Sequence, residues 1–196
     1  MLTNETNLHS PEVVYNRLIS LESAGVIDNV YSLVFERIEP EYQGAMCEML
    51  ALLLAAFEPL TVDDLDDILK QAKLHGSAKA LVRNLGSVLS TDKTTNLIQF
   101  RHPTLVEYLQ RCSIHSGADN RNKISINVAN AHSQASSWCL AHLMSRTDGL
   151  KFNICRLESS FYLNKQIPDL DIRISKYIPR RLRYASSHWL FHVSGM

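Results

Sequence analysis

Apolar residues in the first half of the chain recur every three or four positions, which is the spacing of helices that bury one face. Polar or proline-containing breaks separate five such stretches. The predicted helices are a short one after Ser10-Pro11, Asn29–Ile38, Gln43–Phe57, one that starts after Thr61, and Ala78–Leu85. On the second helix, which Asp28 caps and Pro40 closes, the expected buried face consists of Val30, Leu33, Val34 and Ile38.

Capping signals mark the starts of the last two helices of this half. Thr61 and Asp64 have the spacing of a capping box, in which Asp replaces the usual Glu or Gln. Gly76 and Ser77 predict a turn followed by an N-cap. Each cap supplies acceptors for backbone N–H groups that a helix leaves unpaired in its first turn. The residues expected to face inward on the first of these helices are Leu65, Ile68 and Leu69.

A polar loop over residues 90–96 separates two short apolar runs, Val88-Leu89 and Leu97–Phe100, and this arrangement predicts a β-hairpin. The second run leads through Arg101 and His102 into a helix predicted over Pro103–Cys112, because proline is well tolerated in the first helical turn. The sequence of helices and then a hairpin is that of a winged helix. The expected fold class is therefore mainly α: a winged-helix domain of three helices and a short hairpin, followed by an α-helical linker or superhelical domain.

The polar stretch Ser113–Lys123 is the best internal boundary, and the composition after it is that of helices alone. The apolar stretches that follow are Val128–Met144, Leu150–Leu157, Ile167–Tyr177 and Arg180–Val193, with Pro179 expected at the start of the last helix. We predict a leader and short helix over residues 1–25, the winged-helix domain over 26–113, a linker over 114–124 and the α-helical domain over 125–196. The final pattern has no obvious terminal cap, which indicates a truncated or excised piece.

Composition excludes several classes of protein. The 20 Lys and Arg residues balance the 20 Asp and Glu residues, so the basic excess of a dedicated nucleic-acid binder is missing. The four cysteines form no CxxC pair, which favours free thiols in a reducing compartment. The N-terminus has no signal-peptide core, and the apolar run Met49–Phe57 is far shorter than the roughly 20 residues that span a bilayer. We expect a cytoplasmic protein without a membrane partner.

Four stretches in a defined order carry a family likeness: Ile27–Ile38, Met49–Asp66, Ile98–Leu109 and Asn127–Val193. Together they resemble the segment that follows the nucleotide-binding core in STAND NTPases of the NACHT class. The likeness is strongest to fungal-type NACHT proteins that carry WD repeats. The chain itself contains no GxxxxGK[ST] phosphate-binding loop, no acidic metal-binding strand of the Walker B kind and no WD-repeat blade.

The resemblance implies a regulatory role without catalysis. In the family, the histidine at the position of His102 senses the nucleotide by reaching the β-phosphate of bound ADP, and Arg101 is a weaker second phosphate contact. ADP or ATP is thus implied only through a nucleotide-binding core that this chain lacks. The implied function is to couple the nucleotide state of that core, in cis in the intact family or in trans here, to a downstream WD-repeat region. The alternative for His102 is a structural histidine that caps the helix or binds a backbone carbonyl.

A nucleic-acid-binding winged helix is the first alternative function. The residues that would contact DNA are Lys79, Arg83 and Asn84 on the recognition helix, with Lys93, Thr94 and Thr95 on the wing. These cations make a small phosphate footprint. The neighbouring acidic run, Asp63, Asp64, Asp66 and Asp67, would repel DNA. A degenerate fragment without independent function is the second alternative.

Two further groups of residues in the second half could have a binding function, but an ordinary amphipathic helix also explains their presence. The basic tract consists of Lys176, Arg180, Arg181 and Arg183, and could meet RNA or an acidic partner. It also fits the solvated side of a helix whose apolar side is Ile178, Leu182, Ala185 and Trp189. Histidines are numerous here, and His188 and His192 have the i, i+4 spacing of metal ligands, but no carboxylate lies on the same turn. No metal site is predicted.

Overall fold

The computed structural model describes residues 26–114 and 124–195, and in these ranges the chain is mainly α-helical, as predicted. One two-stranded antiparallel hairpin follows four helices. The elements are α1 Val26–Glu36, α2 Pro40–Ala55, α3 Val62–Gln71, α4 Ala78–Asn84, β1 Leu89–Thr91, β2 Ile98–Phe100, α5 Pro103–Ile114, α6 Val128–Leu143, α7 Leu170–Tyr177 and α8 Arg180–Ser194. The predicted leader and first helix, and most of the predicted linker, lie outside the described residues.

Helix α2 forms the centre of the core. Its apolar run predicts burial on all sides, and Leu50 and Leu52 are at most 1% exposed. Helices α3, α4 and α5 bury Leu65, Leu81 and Leu105 around it. The same cluster of buried residues continues into the second half through Trp138 and Cys139 on α6 and through Tyr184 on α8. Apolar packing is therefore continuous from α2 to α8.

Helix α1 differs from its prediction in position and in buried face. It begins at Val26, so Asp28 lies in its first turn and pairs with Arg111 of α5. Its two buried residues are Tyr31 and Phe35, whose rings lie 5.4 and 6.1 Å from the ring of Tyr108. The predicted face of Val30, Leu33, Val34 and Ile38 is only half-buried. Contact of the two aromatic rings with Tyr108 of α5 turns this face of the helix inward.

The starts of α2, α3 and α4 follow from their caps. Pro40 does not simply close α1, because it lies in the first turn of α2, where proline fits. The capping box of α3 is confirmed: Asp64 N–H donates to Thr61 Oγ1 over 3.0 Å, and Thr61 N–H donates to Asp64 Oδ2 over 3.1 Å. Ser77 accepts the N–H of Ala80 at the start of α4, as predicted.

The hairpin is confirmed, and its register pairs Leu89 with Phe100 and Thr91 with Ile98. The loop between the strands is ordered by Asp92, whose Oδ1 accepts the backbone N–H groups of Thr94 and Thr95. An isolated bridge between Thr61 and Leu97 ties β2 to the segment before α3. The hairpin therefore packs against the first half, and Arg101 and His102 follow directly from β2.

The second half contains fewer regular elements than predicted. The element expected over Leu150–Leu157 is wrong, because the backbone there forms turns in which Asn153 and Arg156 have positive φ angles of 48° and 53°. Leu150 is exposed and Phe152 is fully so, although Cys155 is buried. Helix α7 starts at Leu170 rather than at Ile167, because Asp169 before it is in the left-handed region.

Helix α8 packs mainly against α6. Pro179 is the N-cap of α8 rather than its first residue. Leu182 and Ala185 are buried as predicted, but Trp189 is 36% exposed. Tyr184 and His192 occupy the buried face in its place. In the described ranges, no helix combines the length and the apolar character that crossing a bilayer requires.

Candidate functional site

His102 lies exposed between β2 and α5, where its ring both caps the helix and faces solvent. Its Nδ1 accepts the backbone N–H of Thr104 over 3.3 Å and lies 2.7 Å from Thr104 Oγ1. In the neutral imidazole an accepting Nδ1 leaves the proton on Nε2. The Thr104 hydroxyl is in turn held at 2.6 Å by the hydroxyl of Tyr31 on α1. The ring is thus fixed on one edge, and its other edge presents an N–H group to solvent.

Arg101 stabilises the turn that precedes the hairpin. Its Nε donates to the carbonyl oxygens of Gly86 and Leu89, over 2.9 and 3.1 Å. Its backbone N–H donates to the carbonyl of Val88. These bonds use Nε, and among the described residues the two terminal nitrogens of the guanidinium have no hydrogen-bond partner. Arg101 is therefore a structural residue with some remaining capacity to bind an anion.

An apolar groove lies beside this position. It has a volume of about 570 Å³ and is lined chiefly by apolar side chains. The larger of them are Leu53, Phe57, Phe100, Pro103 and Val106. Pro103, which lines the groove, directly follows His102 in the chain.

Helix α4 and the hairpin border a second cleft of about 690 Å³. Lys79 and Arg83 line it, as the nucleic-acid alternative requires, but Asp63 lines the same cleft. Lys93, on the loop of the hairpin, is exposed. The cationic surface at α4 is thus small and is partly offset by a carboxylate within it.

The basic tract and the acidic run, which the sequence leaves as separate features, contact each other. Arg180 Nη1 donates to Asp64 Oδ2, and Arg181 Nε donates to Asp64 Oδ1 over 2.8 Å. Asp64 is 3% exposed. Burial by itself raises the pKa of the Asp64 carboxyl, but hydrogen bonds from Thr61 and Arg181 and the charge of Arg180 outweigh it and leave the pKa lowered. Arg180 and Arg181 are thus paired within the chain, with a carboxylate of α3.

Asp67, one turn further along α3, gathers three donors from the second half. Its Oδ2 accepts from Trp138 Nε1 over 2.8 Å, from His142 Nε2 over 3.0 Å and from Arg181 Nη1 over 3.2 Å. Burial raises the pKa of the Asp67 carboxyl, yet the bonds from Trp138 and His142 more than offset this, so the pKa is lowered. We call Asp64, Asp67, Arg180 and Arg181 the α3–α8 ion cluster.

Two histidines of the second half, the half-buried His132 and the buried His192, form a hydrogen-bonded cluster with Tyr184. His192 is fully buried between the Tyr184 hydroxyl, 3.0 Å from its Nε2, and His132, whose Nδ1 lies 2.9 Å from its own Nδ1. His188 instead bonds Glu58 over 3.0 Å. Within the described ranges, no group of three or more His, Cys, Asp or Glu side chains is placed to hold a metal ion.

The cysteines are free thiols in this structure. Cys112, Cys139 and Cys155 are buried, and Cys47 is half-buried. Burial raises the pKa of the Cys139 thiol to about 12. A thiol with such a pKa is unreactive at neutral pH.

Sequence reasoning missed the residues that position the candidate groups. Tyr31 and Thr104 hold the ring of His102, and His132 and Tyr184 enclose His192. Pro103, which favours the first helical turn, was the local signal that places His102 at the N-cap position. The partners on α1 and α6 are 60 or more residues distant, and no local pattern indicates them.

In comparisons with known proteins, no protein-family model, no curated protein and no solved structure matches this chain.

Proposed function

We propose that this chain is a non-catalytic regulatory segment of a NACHT-type STAND NTPase. Helices α2, α3 and α4, the hairpin and α5 follow one another in the order expected of a winged helix. In this proposal, α6 to α8 are the helical linker. In this proposal the segment binds a nucleotide-binding core that carries ADP or ATP. It passes the nucleotide state on to a WD-repeat region.

The geometry of His102 is the observation that carries the proposal. An imidazole whose Nδ1 is occupied at the helix start and whose Nε2–H faces solvent is prepared to donate to a phosphate oxygen. Protonation would strengthen such a bond, because charge-assisted hydrogen bonds are stronger than neutral ones. A contact that exists only while the core holds ADP would bias the closed state, since a ligand shifts an equilibrium only through differential binding.

The first test is the encoding locus. A reading frame with a P-loop directly upstream of this chain supports the proposal and provides the core for a biochemical experiment. A locus without such a frame in any neighbouring position favours the degenerate-fragment alternative.

The biochemical test separates helix capping from phosphate binding at His102. The chain is joined to that core, and ADP retention is measured for wild type, His102→Asn and His102→Leu. Asparagine keeps a side-chain acceptor for the Thr104 N–H, so we expect this variant to keep its stability and to release ADP faster. His75→Leu, at another exposed histidine, is the matched control. Unchanged ADP retention in both His102 variants refutes the sensor role.

The nucleic-acid alternative has a separate test. If a salt-dependent shift of duplex DNA appears at micromolar protein and disappears in Lys79→Ala and Arg83→Ala, the α4 surface binds phosphates and the switch proposal loses its basis. We expect no shift, because Asp63 lines the same cleft.

A further inference from the structure

The pair of histidines at the end of α8 has a hydrogen-bonding arrangement that leaves no nitrogen for a further proton. Phe57 N–H donates to the Tyr184 oxygen over 3.3 Å, so the Tyr184 hydroxyl proton is directed to His192 Nε2. His192 then carries its proton on Nδ1 and donates it to His132 Nδ1. Among the described residues, every buried side-chain nitrogen and oxygen atom has a hydrogen-bond partner. In the neutral pair His192 Nδ1 and His132 Nε2 carry the protons, whereas His192 Nε2 and His132 Nδ1 each accept a hydrogen bond.

Adding a proton to this chain must break a hydrogen bond inside it. A proton on His132 Nδ1 would face the N–H of His192, and reversing the bond would leave the Tyr184 hydroxyl proton without an acceptor. A second proton would place two N–H groups and two positive charges against each other across 2.9 Å. Such an arrangement is strongly unfavourable in a buried site.

The surroundings offer little compensation for a charge. The side chains whose charges act on His192 are His132 and His188. Around the Tyr184 hydroxyl that bonds His192 lie Glu58 from the loop before α3, Cys139 on α6 and Arg180 at the start of α8. Glu58 is the one carboxylate among them, and it is already bonded to His188. Burial, followed by the charges of His132 and His188, lowers the pKa of His192 to about 4, and burial lowers that of His132.

The pair also determines where the end of α8 lies. Phe57 packs on both rings, with centroid distances of 4.9 Å to His192 and 5.9 Å to His132. Gly195 follows α8 so closely over the His132 ring that an added Cβ would be 2.9 Å from Cδ2. A displacement of either imidazole therefore requires the last turns of α8 to move.

We propose that the His132–His192 contact is an acid-sensitive latch, which holds the end of α8 against α6 at neutral pH and releases it when the imidazoles take up protons. This proposal is independent of the proposed function. Acid weakens the latch because the two imidazoles bind protons less readily in the folded state than in the unfolded state. The latch is complete above about pH 6.5, and it weakens as the pH falls from there towards about 4.

Hydrogen exchange of the full chain tests the latch. Protection of the backbone amides in α8 is compared at about pH 7 and about pH 4.5, after correction for intrinsic exchange rates. A single histidine with a pKa of about 4 in the folded state and about 6.5 in the unfolded state predicts a fall in protection of about 50-fold. Protection in α1 to α5 should fall much less, because the pair lies outside those helices.

Three variants make the test specific. The double variant His132→Asn/His192→Gln keeps polar groups at both positions but removes the titratable imidazoles. Its α8 protection should therefore differ less than about threefold between the two pH values. His75→Gln, at an exposed histidine, should behave as the wild type. Introducing alanine at Gly195 should loosen α8 already at neutral pH, because it wedges against the His132 ring. Equal loss of α8 protection in the double variant, or no loss in the wild type, overturns the proposal.

A measurement on the wild type alone keeps the proposal falsifiable if the double variant does not fold. The Cε1–H resonance of His192 should titrate near pH 4 in the folded chain. A midpoint near the ordinary histidine value of about 6.5 overturns the latch.

Discussion

Replacing Asp64 by alanine removes the carboxylate on which the start of α3 and the attachment of α8 both depend. This side chain accepts the N–H of Thr61 in the capping box and receives Arg180 and Arg181 from α8. Only 4% of it is exposed, whereas each arginine side chain is 35% exposed. The substitution therefore removes the one nearly buried member of the α3–α8 ion cluster, while its cationic partners keep some access to water.

The expected cost follows from these contacts. Loss of a capping interaction costs about 1 kcal/mol. Removal of one partner from a buried ion pair costs about 3–5 kcal/mol, and the partial exposure of both arginines places this case at or below the lower limit. We expect Asp64→Ala to lower the free energy of unfolding by about 3 kcal/mol in total, which for a chain of this size corresponds to a fall in Tm of roughly 6–12 °C.

Urea unfolding and thermal scans of a matched set measure this effect. Asp64→Asn keeps an oxygen for the Thr61 N–H and should lose about 2 kcal/mol, mainly from the ion cluster. Asp63→Ala, at the exposed neighbour in the same acidic run, should lose less than about 1 kcal/mol. A double-mutant cycle with Arg180→Ala should give a coupling of about 1 kcal/mol or more. If Asp64→Ala costs no more than Asp63→Ala, the ion cluster does not hold the two halves together and the reasoning is wrong.

Other expected outcomes address single contacts. Trp138→Phe keeps an aromatic ring but loses the Nε1–H donor to Asp67, and should lower the free energy of unfolding by about 1–3 kcal/mol in urea titrations. The thiol of Cys139 should resist alkylation at about pH 8 in the native chain and react once urea unfolds it, because it is fully buried. Phe152→Ser should change the free energy of unfolding by no more than about 0.5 kcal/mol, because the Phe152 side chain is fully exposed.

Local signals in the sequence predicted much of the first half. The capping box of Thr61 and Asp64, the N-cap Ser77 and the polar loop before Leu97 each act within a few residues, so a local pattern suffices to place them. The rotation of α1 could not be predicted in the same way. It depends on Tyr108, which is more than 70 residues away and provides the aromatic surface for Tyr31.

The charged residues show a different limit of sequence reasoning. The acidic run and the basic tract were each recognised, but their spacing within the chain does not reveal that Arg180 and Asp64 meet across 116 residues. The amphipathic pattern of α8 predicted that Trp189 is buried, because a large apolar side chain is expected in the core more often than a histidine. His192 is buried instead, because Tyr184 and His132 satisfy both of its ring nitrogens.

The two attachments of α8 lie at opposite ends of the helix and respond to acid in different ranges. The start of α8 is attached through Arg180 to Asp64 of α3, whose pKa is lowered in the folded state. The stability that Asp64 contributes is therefore present above its unfolded-state pKa of about 3.9, and it is lost only as the pH falls below that value. At its end, the contribution of His192 is lost between about pH 6.5 and about 4. Acidification should therefore release α8 from its C-terminal end while Arg180 still holds its start. Hydrogen exchange should show protection lost around His192 at a higher pH than around Leu182, and the reverse order would contradict this division of the helix into two attachments.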